Sequence, residues 1–158
     1  MFFKNKSELF ELTNNARTYI IFDEEDQESK ILAYFSLSFK EVSLPIELSK
    51  TQVKDIDGIS KNAKFSRGFL LGQIGKNFFG ENNIKISDIF EEIYSVIYIA
   101  YKAVGGRVLF LECLNNEKLK SLYENEGFRF LKVREDSYLN GVKEEDKMIV
   151  MYKKLNFE

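Results

Sequence analysis

Histidine is absent from the 158 residues of this chain, and its absence removes the commonest side chain of enzymatic acid–base chemistry. No Ser-His or Cys-His nucleophile pair can be built, and zinc sites made of His and Cys clusters are excluded as well. The single cysteine, Cys113, cannot form an intramolecular disulfide, which fits a reducing cytoplasm. We therefore expect no metal site and no covalent enzyme intermediate.

Long apolar runs are also lacking. No stretch approaches the length of a membrane span, and residues 1–15 carry scattered charges rather than the apolar core of a signal peptide. The net charge of -2 argues against a general nucleic-acid coat, because counterion release needs excess Lys and Arg. With 44% hydrophobic and 30% charged residues, the composition is typical of one globular domain. We expect a cytoplasmic protein without membrane contact.

Strand-like patterns dominate the first half of the chain. β-branched and aromatic residues predict a strand over residues 18–22, and alternating apolar residues predict its antiparallel partner over 31–39, with a turn over 23–28 between them. A polar connection over residues 41–66 follows and holds the only proline, Pro45. We expect it to be a mobile segment over an active site or partner surface, with plain disorder as the alternative. Residues 69–75 form a compact apolar strand.

Helices alternate with strands in the second half. Apolar residues recur at helical spacing over 88–104, which predicts a long helix capped by Asp88 or Ser87 and stopped by Gly105. The run 108–111 is apolar on both faces, as in a buried parallel strand. The other predicted elements are a helix over 116–126, strands over 128–133 and 148–152, and a weak helix after Ser7. This order predicts an α/β fold with a mixed, mostly antiparallel central sheet flanked by helices.

One stretch has a distinctive order of elements. In residues 108–128 a buried strand ends in a polar turn, and a short helix then closes with Leu122-Tyr123-Glu124-Asn125-Glu126-Gly127-Phe128. Together with the order of elements over about residues 18–152, this stretch resembles the GNAT N-acetyltransferase superfamily. Small Gram-positive and mobile-element members carry a second similar motif, here Gly72-Gln73-Ile74-Gly75-Lys76-Asn77.

The resemblance implies roles for several residues. Tyr123 corresponds to a tyrosine that protonates the departing CoA thiolate, and a core tyrosine is the alternative. The backbone of Gln73, Ile74 and Gly75 would bind the pantetheine arm of acetyl-CoA, and a simple bulge is the alternative. Further cofactor contacts are expected from Asn82, Asn83, Lys85, Ser87, Asn115 and Asn116, although the last two also serve as turn and N-cap residues.

Two departures from the family pattern affect these expectations. The family's pyrophosphate loop is glycine-rich, whereas residues 81–86 contain no glycine and include Glu81, which would repel phosphate. Lys85 and the helix terminus would then have to hold the phosphates. The chain before residue 18 is also shorter than the family's first strand and helices require, so we expect one domain over 1–158 with abbreviated N-terminal elements.

The predicted function is transfer of an acetyl group from acetyl-CoA to an amine in a direct ternary complex. Glu112, which follows four apolar residues, would take the proton of the substrate ammonium, and an ion pair with a neighbouring Lys or Arg is the alternative. The acceptor is left open between a small molecule, a protein and an aminoacyl-tRNA, as some relatives of this size are toxins that acetylate charged tRNA. A homodimer is also left open. The competing function is a non-catalytic binding or inhibitory protein with a weakened CoA site.

Overall fold

The computed structural model describes residues 8–25, 29–138 and 141–157. Within these ranges, six strands form one sheet in the order β1-β2-β3-β4-β6-β5, and four α-helices accompany them. Their bounds are α1 Glu8–Leu12, β1 Arg17–Phe22, β2 Ile31–Ser43, α2 Lys50–Asp57, β3 Phe65–Lys76, α3 Ile86–Val104, β4 Val108–Leu114, α4 Glu117–Asn125, β5 Arg129–Val133 and β6 Met148–Lys154. Two 3₁₀ turns, Glu135–Tyr138 and Glu144–Asp146, lie between β5 and β6.

The chain divides into two compact units, and β2 and β3 contribute to both. The first unit comprises residues 1–39 and 71–105, and the second comprises residues 40–70 and 106–158. The single domain predicted over the whole chain stays a prediction. The turn predicted over 23–28 lies partly outside the described residues, as does Ser7 before α1.

The first unit is built on the antiparallel pair β1–β2, in which Arg17 lies opposite Leu37. The alternation predicted for β2 is confirmed in its centre, because Ala33, Phe35 and Leu37 are buried. The ring of Tyr19 stacks on that of Phe35 with centroids 5.0 Å apart. In α3 the buried positions follow helical spacing: Ile89, Phe90, Ile93 and Ile97.

The start of α3 differs from the prediction. Lys85 is the N-cap residue, and Asp88 lies three positions into the helix, where its carboxylate accepts the N–H of Lys85 at 2.7 Å. Neither Asp88 nor Ser87 is the N-cap residue, because the chain becomes helical already at Ile86. The predicted stop is confirmed: Gly105 has φ +77°, a conformation that glycine adopts at little cost.

The second unit is organised around β4, whose residues Val108 to Leu111 are all buried. Its neighbour β6 is antiparallel, with Val108 opposite Lys154 and Leu114 opposite Met148. The parallel pairing expected from the apolar run is therefore wrong on this side, and the burial follows from the strand's central place between β3 and β6. Strand β5 pairs antiparallel with the outer side of β6.

The connection over residues 41–66, predicted to be a loop, contains α2 and the ends of two strands. Ser49 and Gln52 form a capping box, in which the Ser49 hydroxyl accepts the N–H of Gln52 at 3.2 Å. Gly58, at φ +90°, ends the helix. Val53 and Ile56 are buried, and Ile56 packs in one core cluster with residues of β4, β5 and β6. The prediction of an unstructured segment was wrong because two apolar residues suffice to anchor a short, well-capped helix.

Candidate functional site

A loop built on two asparagines precedes α3 in the first unit. The Asn77 side chain donates to the Ile31 carbonyl at 2.7 Å, and its backbone N–H donates to the Leu32 carbonyl at 2.8 Å. The Asn82 amide group donates to the carbonyls of Leu32 and Asn77 at 2.7 and 2.8 Å, and its oxygen accepts the Ile84 N–H at 3.1 Å. Asn82, predicted to contact cofactor, therefore uses its side chain to shape the loop.

The other predicted phosphate ligands lie at the N-terminus of α3. Asn83, Lys85 and Ser87 are all exposed. The first N–H groups of any α-helix lack intrahelical partners and attract anions. The carboxylate of Asp88 lies in the same first turn and would oppose an anion there. The N-terminal end of α3 thus offers a cation and the positive end of the helix dipole, but also a negative charge.

The candidate pantetheine strand lies on the same unit. Gln73 is exposed, while Ile74 and Gly75 are half-buried. A Cβ atom at Gly75 would lie 2.3 Å from Cε1 of Tyr34, so the aromatic ring of β2 requires glycine at this position of β3. Burial raises the pKa of the Tyr34 phenol above its usual value. The ring of Tyr34 occupies the space that a side chain at position 75 would need. The sequence did not suggest this contact.

Tyr123 is buried in the second unit, on α4. Its carbonyl accepts the N–H groups of Glu126 and Phe128 at 3.1 and 3.0 Å, which closes the turn after the helix. The rings of Tyr123 and Phe128 meet edge to face, with centroids 6.1 Å apart. Gly127, at φ +88°, takes the left-handed conformation in that turn. The motif over residues 122–128 is thus a helix end that fixes the tyrosine ring.

The electrostatic surroundings of Tyr123 favour a protonated phenol. Burial raises its pKa, and the negative charge that the neighbouring Cys113 would carry as a thiolate raises it further. Burial also raises the pKa of Cys113, to about 11. The Cys113 sulfur lies 4.0 Å from the Met151 sulfur, and both side chains are buried. At neutral pH both groups carry their protons, so Tyr123 can act as a proton donor.

Glu112 forms an ion pair with an arginine that sequence reasoning missed. Its Oε2 atom accepts a hydrogen bond from Nη1 of Arg134, at 2.9 Å. Arg134 also donates to both carboxylate oxygens of Asp136, at 2.5 and 2.6 Å. The alternative offered for Glu112, pairing with a neighbouring base, is what the structure contains. The carboxylates on both sides raise the pKa of Arg134, so the arginine keeps its charge.

Glu112 and Tyr123 belong to opposite faces of the sheet. Successive side chains of a strand alternate between faces, so Glu112 and Cys113 of β4 diverge. Cys113 lies beside Tyr123, whereas Glu112 lines a groove together with Arg134. A single reaction that uses both predicted catalytic residues would therefore need its substrates to reach both faces near the end of β4.

The groove beside Glu112 has a volume of about 480 Å³ and lies entirely within the second unit. Val42, Leu70 and Val150 supply apolar lining. Lys132 reaches Glu135 at 3.3 Å and also donates to the hydroxyl group of Ser43. Three basic and four acidic side chains line the groove, so it carries no strong excess of either sign. Such a site suits a small polar or zwitterionic group better than a polyanion.

Asn115 and Asn116, predicted to contact cofactor, have structural partners. The Asn115 N–H donates to the Lys147 carbonyl at 2.8 Å, and the Asn116 side chain caps α4 by accepting the Leu119 N–H at 2.9 Å. Over the described ranges, no three Cys, Asp or Glu side chains gather to hold a metal ion. Among those same residues, no helix has both the length and the apolar character needed to cross a membrane.

The chain shares its fold with toxins of known structure. AtaT complexed with acetyl-methionyl-tRNAfMet is 22% identical with a TM-score of 0.65, and the match covers 94% of this chain and 78% of that chain. A tyrosine-to-phenylalanine variant of KacT is 24% identical with a TM-score of 0.66, again over 94% and 78%. AtaTR bound with AcCoA is 22% identical with a TM-score of 0.65, over 97% and 78%.

No protein-family model matches the sequence, and no curated protein matches it. At the identities of the structural matches, the likeness concerns the fold alone. It confirms the predicted GNAT-like α/β architecture, with a mostly antiparallel six-stranded sheet flanked by helices.

Proposed function

We propose that the protein is an N-acetyltransferase that moves the acetyl group of acetyl-CoA to an amine in a direct ternary complex. The observation that carries the proposal is the fold shared over 97% of the chain with AtaTR, whose structure is known with AcCoA bound. The turn motif over residues 122–128 supports it independently, because it fixes a protonated tyrosine at the end of a helix.

The residues of the first unit fit acetyl-CoA in part. Lys85 and the first N–H groups of α3 would hold the pyrophosphate, and the backbone of Gln73 to Gly75 would accompany the pantetheine arm. Asn82 would act by shaping the loop, since its side chain is already bonded. When bound, acetyl-CoA supplies a thioester that is activated towards an amine.

Tyr123 is proposed to be the general acid. Transfer of the acetyl group breaks the C–S bond and leaves a thiolate, which needs a proton. A phenol whose pKa is raised by burial is protonated at neutral pH and can donate that proton. The packing against Phe128 restrains the ring, so that the hydroxyl group is presented in one direction.

Glu112 is proposed to accept the proton of the substrate ammonium, directly or through water. The bond to Arg134 engages Oε2, and within the described part of the chain the structure gives Oε1 no competing hydrogen bond. The nearly neutral groove beside Glu112 would then receive the acceptor. Aminoacyl-tRNA, of which only the terminal aminoacyl group would enter the groove, is the first acceptor to test, because AtaT is known in complex with acetyl-methionyl-tRNAfMet. A role as a toxin, with an antitoxin partner as for AtaT and AtaR, would follow from that activity.

The competing function is a non-catalytic binding protein with this fold. It is favoured by the loop before α3, where residues 81–86 lack glycine and Asp88 adds a negative charge to the helix N-terminus. Both features weaken an anion site. A protein of this kind would bind neither acetyl-CoA nor its analogues, and it would have no turnover.

The test is an acetyl-transfer assay that follows loss of the thioester and acetylation of the acceptor together. Charged initiator tRNA, free amino acids and a lysine-containing peptide serve as acceptors, with wild-type protein and Tyr123→Phe compared. We expect acetylation of at least one acceptor class by the wild type and a large loss in the variant. Absence of acetylation and of slow CoA release with all acceptors would favour the non-catalytic protein.

A further inference from the structure

A lysine of β6 bonds to the end of the helix that carries Tyr123. Nζ of Lys153 donates to the Glu126 carbonyl, the C-cap of α4, at 2.7 Å. Its side chain lies along Gly127, where an added Cβ would be 3.3 Å from Cε of the lysine. Lys153 is half-buried, and burial lowers the pKa of its amino group. A lysine that is withdrawn from water in this way needs polar partners, and the Glu126 carbonyl is one of them.

The bonded carbonyl belongs to the same turn that restrains Tyr123. The N–H groups of Glu126 and Phe128 both donate to the Tyr123 carbonyl, and the Phe128 ring meets the Tyr123 ring edge to face. A cation at the C-terminus of a helix also interacts favourably with the helix dipole. Lys153 therefore bonds to Glu126, one of the two residues whose N–H groups donate to the Tyr123 carbonyl.

The register of the sheet explains why a lysine of β6 reaches this turn. Lys153 lies opposite Leu109 and Met151 lies opposite Leu111, on the face of β4 that also carries Cys113 beside Tyr123. Lys154, the next residue, belongs to the other face and forms an ion pair with Asp55 of α2 at 2.5 Å. Two adjacent lysines of one strand thus have different partners.

We propose that Lys153 is a positioning residue for Tyr123: it fixes the Glu126–Phe128 turn and thereby the direction of the phenol. The inference rests on the proposed role of Tyr123 in proton donation, while the positioning itself is a structural statement that can be tested separately. Neither the motif over residues 122–128 nor any local pattern includes Lys153, which lies 27 positions after Glu126 in the sequence.

The first experiment measures the phenol directly. Protein labelled with ¹³Cζ-tyrosine gives one signal for each tyrosine, and Tyr123→Phe identifies the signal that belongs to Tyr123. We expect Lys153→Met, which keeps the aliphatic stem without the charge, to shift or broaden that signal. Lys153→Arg, which keeps a donor, should restore it. The matched control Lys154→Met should leave it unchanged, because Lys154 bonds to a different helix.

The second experiment measures turnover with the same variants. A displacement of about 1 Å can lower turnover about 100-fold, so we expect Lys153→Met to lower kcat by about 10- to 100-fold with little change in KM for acetyl-CoA. In the Tyr123→Phe background, the same substitution should have almost no further effect, since it acts through the phenol. A general loss of structure would instead lower kcat in both backgrounds.

The two experiments separate this inference from the proposed function. An unchanged Tyr123 signal in folded Lys153→Met overturns the positioning role, whatever the activity. If Lys153→Met does not fold, Lys153→Gln replaces it, because the shorter amide cannot span the distance to the turn. If the wild type has no turnover, the proposed function fails, while the signal still decides whether Lys153 positions the phenol.

Discussion

Replacing Tyr123 with phenylalanine removes one oxygen atom and leaves the buried ring in place. Tyr123 is 7% exposed, and its ring packs edge to face against Phe128, an arrangement that phenylalanine reproduces. The substitution therefore separates the chemistry of the hydroxyl group from the packing of the side chain. An alanine at this position would confound the two, because it would also leave a cavity.

The expected changes differ strongly in size. General acid catalysis contributes about 10²–10⁴-fold, so kcat should fall by an amount in that range. Loss of one hydroxyl hydrogen bond costs about 0.5–1.5 kcal/mol, and for a chain of this size about 1 kcal/mol lowers the melting temperature by about 2–4 °C. The dissociation constant of acetyl-CoA should change little, because the proton is transferred only in the transition state.

The assay compares the wild type, Tyr123→Phe and Tyr98→Phe. The last variant is the matched control, because Tyr98 is an exposed tyrosine of α3. Initial rates of thioester loss, melting temperature and acetyl-CoA affinity are measured for each. Turnover of Tyr123→Phe equal to that of the wild type would refute the assigned role, and Tyr123 would then be a core residue. A large fall in melting temperature would instead indicate that the hydroxyl group satisfies a buried partner.

Three further predictions concern stability and the groove. Burial raises the Cys113 pKa from 9.0 to about 11, so between these two pH values unfolding releases a proton. The free energy of unfolding should therefore fall by about 2–3 kcal/mol as the pH rises through this range. Denaturant unfolding at several pH values checks this, and Cys113→Ala should not show the fall. Ile56→Ala should cost about 2–5 kcal/mol and Ile59→Ala almost nothing, since the first side chain is 1% and the second 90% exposed; equal effects would contradict the packing of α2. Glu112→Gln should lower kcat about 10²-fold or more, whereas Asp136→Asn, which removes the other carboxylate bonded to Arg134, should not. Equal kcat values for the two variants would mean that Glu112 serves only in the ion pair.

Local signals predicted the elements that local interactions determine. Helix α4 begins after Asn116 and is followed by Gly127, as its cap and stop residues indicated. Helix α3 has its buried positions at the expected spacing, and only its first residues were misassigned. The missed helix α2 also carried local signals, the capping box of Ser49 and Gln52 and the stop at Gly58. Its polar composition concealed them.

The site was less predictable because its contacts are long-range. Glu112 and Arg134 are 22 positions apart, and Asn82 bonds to a carbonyl 50 positions before it. No periodic pattern encodes such pairs. The divergence of Glu112 and Cys113 was predictable, however, since neighbouring residues of a strand point to opposite faces. Tyr34, which explains Gly75, would have required the β2–β3 register in advance.

Binding of acetyl-CoA tests the central claim most directly, and the melting temperature measured with and without it is the measurement. A ligand at 100 times its dissociation constant stabilises the folded state by about 2.7 kcal/mol, which corresponds to about 5–11 °C for a chain of this size. We predict a rise of this order with acetyl-CoA and a much smaller one with free acetate as the control. An unchanged melting temperature at millimolar acetyl-CoA would contradict the account and favour a non-catalytic binding protein.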